Sequence, residues 1–152
     1  MVQVFQNQRL LRSYDNELVA TYEEQQTLIG TYIDIPELLT IDQKPFRMDA
    51  NDEFYLLILL HSECEFCARD RALWQLMYEE AAIRNVQVIG VTTETDAEVV
   101  QSYMAENDLP FPVVMDPGSA LFSTLEAHVT PTKVLLSKEG QILNTWQGWT
   151  TQ

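Results

Sequence analysis

The sequence has 152 residues, of which 46% are hydrophobic and 21% charged. This length and composition are sufficient for one domain with a full hydrophobic core. The 23 acidic residues outnumber the 9 Lys and Arg residues and give a formal net charge of −14. This charge argues against nucleic acid and anionic membrane surfaces as partners, because both require a basic face. The two cysteines are too few for the disulfide framework of a small secreted domain.

The N-terminal part of the sequence predicts an appendage that precedes the main domain. Residues 4–26 are polar but carry an apolar stripe with helical spacing, formed by Leu11, Tyr14, Leu18 and Tyr22. We assign residues 1–27 to this helical appendage and residues 28–152 to the main domain. The main domain is expected to begin with a short hairpin, whose strands are residues 37–41 and 45–48.

An uninterrupted apolar run leads into the two cysteines. Residues 54–60 are too uniformly apolar for a half-exposed strand, so they predict a central strand that is covered on both faces. The run is far shorter than the roughly 20 apolar residues that a membrane-spanning helix needs. Cys64 and Cys67 follow it, and a helical pattern extends from Cys67 to about Arg84. The apolar side of this helix is expected to contain Leu73, Trp74, Leu76, Met77, Tyr78 and Ile83.

The remaining sequence alternates between predicted strands and helices. The predicted strands are residues 86–91, 113–115, 132–136 and 141–146. A helix is expected from Thr95 to about Asn107, because Thr95 and Glu98 have the spacing of a capping box. Asp116 and Pro117 start a second, shorter helix. Strands that alternate with helices and end in an antiparallel pair predict an α/β fold with a central mixed β-sheet.

The order of strand, Cys64-x-x-Cys67 and helix is typical of a redox site. The N-terminus of a helix offers unpaired N–H groups and the positive end of the helix dipole, which stabilise a thiolate and make it a better nucleophile. The second cysteine, one helical turn further on, can attack a mixed disulfide that the first one forms. Zinc binding is an alternative for this pair, but its remaining ligands would be His61 and His128, which lack the usual paired spacing.

Thr130 and Pro131 form a second candidate part of the site. A proline directly before a predicted buried strand, reached by a short loop, suggests a cis peptide bond that presents backbone to the cysteines. Alone, this proline would be interpreted as an ordinary strand-entry residue. The two cysteines upstream favour the first interpretation.

These motifs together resemble the thioredoxin superfamily. The resemblance rests on Cys64-Glu65-Phe66-Cys67, the apolar strand before it, Val129-Thr130-Pro131-Thr132, and Gly140 in the last turn. The segment between residues 95 and 127 is similar to the insertion in the TlpA/ResA-like and peroxiredoxin-like (AhpC/TSA-related) branches. The order of the N-terminal elements is similar to that of MauD-like proteins.

The resemblance implies a thioredoxin-like fold, with helices on both faces of a mixed sheet, an N-terminal hairpin and inserted βα elements. It implies a thiol-disulfide oxidoreductase that reduces protein disulfides, in which Cys64 attacks the substrate, Cys67 resolves, and Thr130 and Pro131 position the substrate chain. The expected partners are a protein disulfide and a thiol electron donor, with no cofactor beyond the redox-active cysteine pair. The resemblance also implies an extracytoplasmic location, with a membrane anchor ahead of the N-terminal helix.

Several residues near the cysteines depart from the family pattern. Glu63 replaces the usual aromatic residue before the first cysteine, and Phe66 replaces the usual Pro or His before the second. Glu63, Glu65 and Asp70 are expected to raise the pKa of the first cysteine and to oppose the helix dipole. Asp70 lies where ResA-like proteins carry a carboxylate that assists proton transfer, although it could equally be a surface charge. A destabilised thiolate favours the disulfide, so the sequence predicts a reductant rather than a strong oxidant.

The residues leave two other functions open. A thiol peroxidase shares the fold, but it would want a threonine at the position of His61 and an activating arginine, whereas Arg69 and Arg71 lie beyond the second cysteine. A metal carrier or assembly factor would use both cysteines and a histidine. We expect His61 to be a loop residue beside the site, and His128, in the loop before the predicted strand 132–136, could face the cysteines.

Overall fold

The computed structural model of this protein describes residues 26–48 and 51–148. The appendage predicted at residues 1–27 lies outside this range except for its last two residues, so the division into two regions stays a prediction. In the part of the chain that is described, no helix is both long and apolar enough to cross a lipid bilayer.

The elements, in chain order, are β1 (Phe54–Leu60), α1 (Glu65–Ile83), β2 (Val86–Thr92), α2 (Ala97–Glu106), β3 (Val113–Met115), a 3₁₀ turn (Pro117–Ser119), α3 (Ala120–Thr124), β4 (Thr132–Ser137) and β5 (Ile142–Gln147). The five strands form one mixed sheet in the order β3-β2-β1-β4-β5. Strand β1 pairs in parallel with β2 and antiparallel with β4, while β2 pairs in parallel with β3 and β4 antiparallel with β5. The predicted α/β fold with a central mixed sheet is confirmed.

Hydrophobic layers cover both faces of the sheet because alternate residues of β1 point to opposite sides. Ile58 and its like-facing neighbours pack with residues of α1 and α2, including Trp74. Leu57 and its like-facing neighbours pack with α3 and with residues of the N-terminal segment, including Leu38. No residue from Tyr55 to Leu60 is more than 5% exposed. The prediction of a central strand covered on both faces is confirmed.

The N-terminal segment contains the predicted hairpin only in a short form, with one bridge between its two arms. Residues 26–48 contain isolated β-bridges rather than strands: Leu39 bridges to Pro45 and to Met115 of β3, and Tyr32 bridges to the residue before β5. Two backbone hydrogen bonds flank the bridge at Pro45, from the N–H of Thr40 to the carbonyl of Lys44 and from the N–H of Phe46 to the carbonyl of Leu38, both at 2.8 Å. The segment therefore crosses one face of the sheet and pairs with both of its outer strands, which protects these edges from pairing with other chains.

Helix α1 begins at Glu65, two residues earlier than predicted, because Cys64 is its N-cap. Its buried side is also narrower than its apolar pattern suggests. Trp74 is fully buried as expected, but Leu76 is 53% and Ile83 80% exposed. Its buried positions are Cys67, Asp70, Trp74 and Ala81. A charged residue belongs to this set, so hydrophobicity alone misplaces the buried face.

Helix α2 lies at the predicted place but has a different cap. Its N-cap is Asp96 rather than Thr95, and the Asp96 carboxylate accepts a hydrogen bond from the backbone N–H of Glu98 at 3.0 Å. Of its two adjacent valines, Val99 is 43% exposed, whereas Val100 is buried.

Candidate active site

The end of β1 and the start of α1 place the two cysteines together at one end of the sheet. Cys64 and Cys67 form a disulfide, and their Cα atoms are 5.2 Å apart. The backbone N–H of Cys67 points at the Sγ atom of Cys64, which lies 3.0 Å from that nitrogen. Cys64 is partly exposed, whereas Cys67 is completely buried. A second molecule can therefore reach the first sulfur but not the second.

The loop before β4 lies against this disulfide. The Sγ atom of Cys64 is 3.3 Å from the carbonyl oxygen of Thr130, although the two residues are 66 positions apart in the sequence. The Thr130–Pro131 peptide bond is cis. Pro131 is buried, and its carbonyl oxygen accepts a hydrogen bond from the N–H of Gly148 at 2.7 Å. The structure thus brings together the two motifs that the sequence analysis singled out.

Two of the acidic residues near the cysteines lie at the surface. Glu63 is exposed. The Glu65 carboxylate forms an ion pair with Arg69 at 3.1 Å, and both side chains are more than half exposed. The Arg69 guanidinium also lies over the Phe66 ring, 5.7 Å from its centre. The charge of Glu65 is therefore partly compensated, which leaves Glu63 as the less screened of the two.

Asp70 is buried, so the interpretation of this residue as a surface charge is wrong. It is 1% exposed, accepts a hydrogen bond from Trp74 Nε1 at 2.8 Å, and forms an ion pair with the Nζ atom of Lys133. Cys67 lies three residues before it on the buried side of the same helix. The structure therefore places the Asp70 carboxylate, whose charge is compensated by Lys133, one helical turn after the buried Cys67.

Lys133 is a buried residue that the sequence analysis missed. It lies on β4, two residues after Pro131, and is 1% exposed. Burial lowers the pKa of Lys133, and the neighbouring Asp70 carboxylate opposes part of this effect. A signal was available in the sequence, because a lysine inside an apolar strand is rarely buried without an acidic partner. The pattern did not show which acid that partner is.

Glu94, in the loop between β2 and α2, also escaped the sequence analysis. Its carboxylate accepts hydrogen bonds from the backbone N–H of Ser62 at 3.0 Å, from the Ser62 hydroxyl, and from Thr92 Oγ1 at 2.9 Å. Burial raises the pKa of Glu94, but the bonds from Ser62 and Thr92 and the nearby His61 outweigh it. The pKa therefore lies below its ordinary value.

The two histidines, His61 and His128, lie in different environments. His61 is partly exposed, and its Nδ1 atom accepts a hydrogen bond from the backbone N–H of Glu63 at 3.1 Å. His128 is exposed. Among residues 26–48 and 51–148, no group of three or more His, Cys, Asp and Glu side chains is arranged to hold a metal ion.

A mixed sheet in this strand order, with a disulfide at the start of the following helix and a proline loop against it, defines a thioredoxin-like protein. The sequence matches the AhpC/TSA family over residues 33–145, which is most of the chain. The chain therefore belongs to the AhpC/TSA family.

Similar proteins place the chain near the TlpA/ResA-like members of the thioredoxin superfamily. The thiol-disulfide oxidoreductase ResA of a Bacillus cereus strain is 24% identical over 80 residues, which are 53% of this chain and 46% of that protein. The sporulation thiol-disulfide oxidoreductase A of Bacillus subtilis (strain 168) is 26% identical over 109 residues, covering 70% of this chain and 66% of the relative. The chain thus spans about half the length of the ResA relative.

Among solved structures, the fold is similar to that of the exposed lipoprotein thioredoxin Etrx1 from Streptococcus pneumoniae strain TIGR4. The TM-score is 0.63 at 24% sequence identity, and the match covers 76% of this chain and 90% of the other. The predicted TlpA/ResA-like resemblance and thioredoxin-like fold are confirmed. The similarity of the N-terminal elements to those of MauD-like proteins stays a prediction.

Proposed function

We propose that this protein is a thiol-disulfide oxidoreductase that reduces disulfide bonds in other proteins. The observation that carries the proposal is the asymmetry of the disulfide, in which Cys64 can be reached at the start of a helix while Cys67 is buried. From this asymmetry we infer that Cys64 is the nucleophile and Cys67 the resolving cysteine. The names of the two relatives, both thiol-disulfide oxidoreductases, support the same activity.

The proposed reaction begins with both cysteines reduced. The Cys64 thiolate attacks one sulfur of the client disulfide, whose S–S bond breaks and whose other sulfur leaves as a thiolate and takes up a proton. The Cys67 thiolate then attacks the Sγ atom of Cys64 and releases the second client thiol. The client has gained two electrons, and this protein has become the disulfide form. A separate thiol donor returns the two electrons.

The chain offers specific groups that would tune the two sulfurs. The N–H of Cys67 and the dipole of the 19-residue α1 stabilise a thiolate at Cys64. Glu63 and Glu65 oppose this stabilisation through space, Glu65 less because of its ion pair. We infer that Asp70, one turn beyond the buried sulfur and shielded from water, serves proton transfer or pKa tuning at Cys67.

The client and the location are part of the same proposal. We assign Thr130 and Pro131 to the positioning of the client chain, because the Thr130 carbonyl lies beside the sulfur that attacks. The partners would be a protein disulfide and a thiol electron donor. We also propose an extracytoplasmic, membrane-anchored location. The similarity to a protein described as an exposed lipoprotein supports that location.

The two alternative functions find less support in the described residues. A thiol peroxidase would need an arginine that activates the reactive cysteine, but Arg69 instead binds Glu65 and contacts Phe66. A metal carrier would need a histidine beside the two cysteines, and none joins them in a cluster of three ligands. Peroxide consumption and copper titration of the reduced protein would detect these activities directly.

The test combines insulin reduction with trapping of clients. The wild type is expected to accelerate insulin reduction by dithiothreitol, and Cys64→Ala to abolish the acceleration. Cys67→Ala is expected to accumulate a mixed disulfide at Cys64, because the resolving thiol is gone. If the wild type neither reduces insulin nor yields trapped partners as Cys67→Ala, the proposal is wrong.

A further inference from the structure

The Glu94 carboxylate connects the turn that contains Cys64 to the loop between β2 and α2, which lies at the same end of the sheet. Glu94 accepts from the backbone N–H of Ser62 with one oxygen and from the Ser62 hydroxyl with the other. The first oxygen also accepts from the hydroxyl of Thr92, which in turn accepts from the Glu94 backbone N–H at 3.2 Å. Thr92 is the last residue of β2 and is fully buried. Glu94 is thereby anchored to the rigid sheet.

We propose that Glu94 is a positioning residue of the redox site, which holds Ser62 and through it the turn that delivers Cys64 to the Thr130 carbonyl. The turn itself is a chain of local hydrogen bonds, from the N–H of Cys64 to the carbonyl of His61 at 3.1 Å and from the N–H of Glu63 to His61 Nδ1. Such local bonds fix the shape of the turn but not its place relative to the sheet. The bond between Ser62 and Glu94 supplies that placement. This inference deepens the proposed function and rests on it.

The two-point contact requires a carboxylate. Ser62 presents two donors, its N–H and its hydroxyl, and an ionised carboxylate can accept on both oxygens at once. A glutamine at position 94 would offer one accepting oxygen and one donating NH₂ group, so it could accept only one of the two bonds. Hydrogen bonds to a charged acceptor are also roughly twice as strong as neutral ones. Glu94→Gln should therefore loosen the turn without changing the size of the side chain.

The negative charge of Glu94 should also affect the ionisation of Cys64. This effect distinguishes a role at the redox site from a general contribution to the stability of the fold. Its negative charge beside the turn disfavours the Cys64 thiolate, as do Glu63 and Glu65, while His61 and Arg69 are the basic groups nearby. Loss of this charge should shift the midpoint of Cys64 alkylation to lower pH. Loss of the position should at the same time slow attack on a client disulfide. A merely structural residue would change neither quantity in the folded protein.

The experiment compares Glu94→Ala, Glu94→Gln and Ser62→Ala with the control Glu98→Gln. Glu98 is an exposed carboxylate on α2, and its loss changes the net charge by the same amount as Glu94→Gln. Insulin reduction is expected to fall about ten-fold or more in Glu94→Ala, because a displacement of about 1 Å at a reacting atom can cost ~10²-fold in rate. Smaller falls are expected for Glu94→Gln and Ser62→Ala, and the control should match the wild type.

A second measurement needs no client. In the Cys67→Ala background, iodoacetamide alkylation of Cys64 is followed against pH, and its midpoint should move to lower pH with Glu94→Gln but not with Glu98→Gln. If the Glu94 variants match Glu98→Gln in both measurements, the positioning role is wrong. If the wild type is inactive on insulin, the proposed function fails and the positioning role, which rests on it, fails too, whereas an alkylation shift on its own shows only that the Glu94 charge acts on Cys64. Should Glu94→Ala not fold, Glu94→Gln and Ser62→Ala decide the outcome.

Discussion

Lys133 shows how strongly the surroundings of one side chain determine its role. It lies in an apolar strand, yet its ammonium group pairs with Asp70 beneath the disulfide, and both residues are about 1% exposed. Burying two charges is costly, and their mutual attraction offsets the cost only while both are present. The pair also keeps the Asp70 carboxylate compensated one turn from Cys67.

Removing Lys133 should therefore destabilise the protein strongly. Lys133→Met leaves the Asp70 carboxylate buried without its cation, and we expect the free energy of unfolding to fall by about 3–5 kcal/mol. Urea unfolding measures this change. The double variant Asp70→Leu/Lys133→Met removes both charges and should recover most of the loss. A Lys133→Met protein as stable as the wild type would show that the ion pair does not form.

Glu94 gives a pH-dependent prediction. Its pKa in the folded protein lies below the ordinary value of 4.5, so its ionised form stabilises the fold above that pH. This contribution is lost as the pH falls through the folded pKa. The difference in unfolding free energy between wild type and Glu94→Gln should thus be largest near neutral pH and shrink below pH 4.5. A difference that stays constant down to pH 3 would contradict the network around Ser62.

At the scale of elements, α1 connects the site to the core. Its N-cap is Cys64 and its buried side contains Cys67, Asp70 and Trp74, so the same helix face holds the resolving sulfur, the ion pair and the largest core side chain. The ring of Trp74 packs against Phe111 at 6.1 Å between centres. The residues that hold this helix against the core thus lie mainly between Cys67 and Trp74.

Trp74 and Leu76 provide a matched pair of substitutions on this helix. Trp74→Ala should cost about 3–5 kcal/mol of unfolding free energy, because it leaves a cavity and removes a hydrogen bond to Asp70. Leu76→Ala should cost less than about 1 kcal/mol, since this side chain is half exposed. Chemical denaturation of both variants checks the pair. Equal costs would mean that the helix face has been assigned wrongly.

The sequence predicted where the helices and strands lie better than it predicted which of their faces are buried. Continuous apolarity identified β1, and the spacing of apolar residues identified α1 and α2 to within a few residues. The same spacing wrongly placed Leu76 and Ile83 in the core, because the apolar stripe of α1 is wider than the surface that the sheet offers it. The predicted N-terminal hairpin is reduced to one bridge between Leu39 and Pro45, and Leu39 also pairs with Met115 of β3, which no local pattern indicated.

At the scale of the whole molecule, the sheet assembles the site from distant segments. Strand β1 pairs with β4 so that Lys133 lies opposite Ile58, on the face covered by α1, and this register brings it to Asp70. Family resemblance linked Thr130 and Pro131 to the cysteines in advance. It gave no indication of the contacts of Asp70 with Lys133 or of Ser62 with Glu94, because these depend on register and loop path rather than on any local pattern.

The net charge of −14 predicts a dependence of stability on salt. Repulsion among the acidic residues destabilises the compact state, and added salt screens it within a Debye length of about 8–10 Å at physiological ionic strength. The melting temperature should therefore rise between about 0.01 M and 0.15 M NaCl. A melting temperature that falls over this range would indicate that attractive ion pairs dominate the electrostatics of the fold.

The central claim is that Cys64 and Cys67 open and close their disulfide reversibly as a reductant. Titration of the protein in dithiothreitol buffers, with the thiols counted by alkylation, measures this most directly. We predict a single two-electron transition at a potential below about −180 mV, well away from the strong oxidants near about −120 mV. A transition near −120 mV, or a disulfide that does not respond to the buffer at all, would contradict the account.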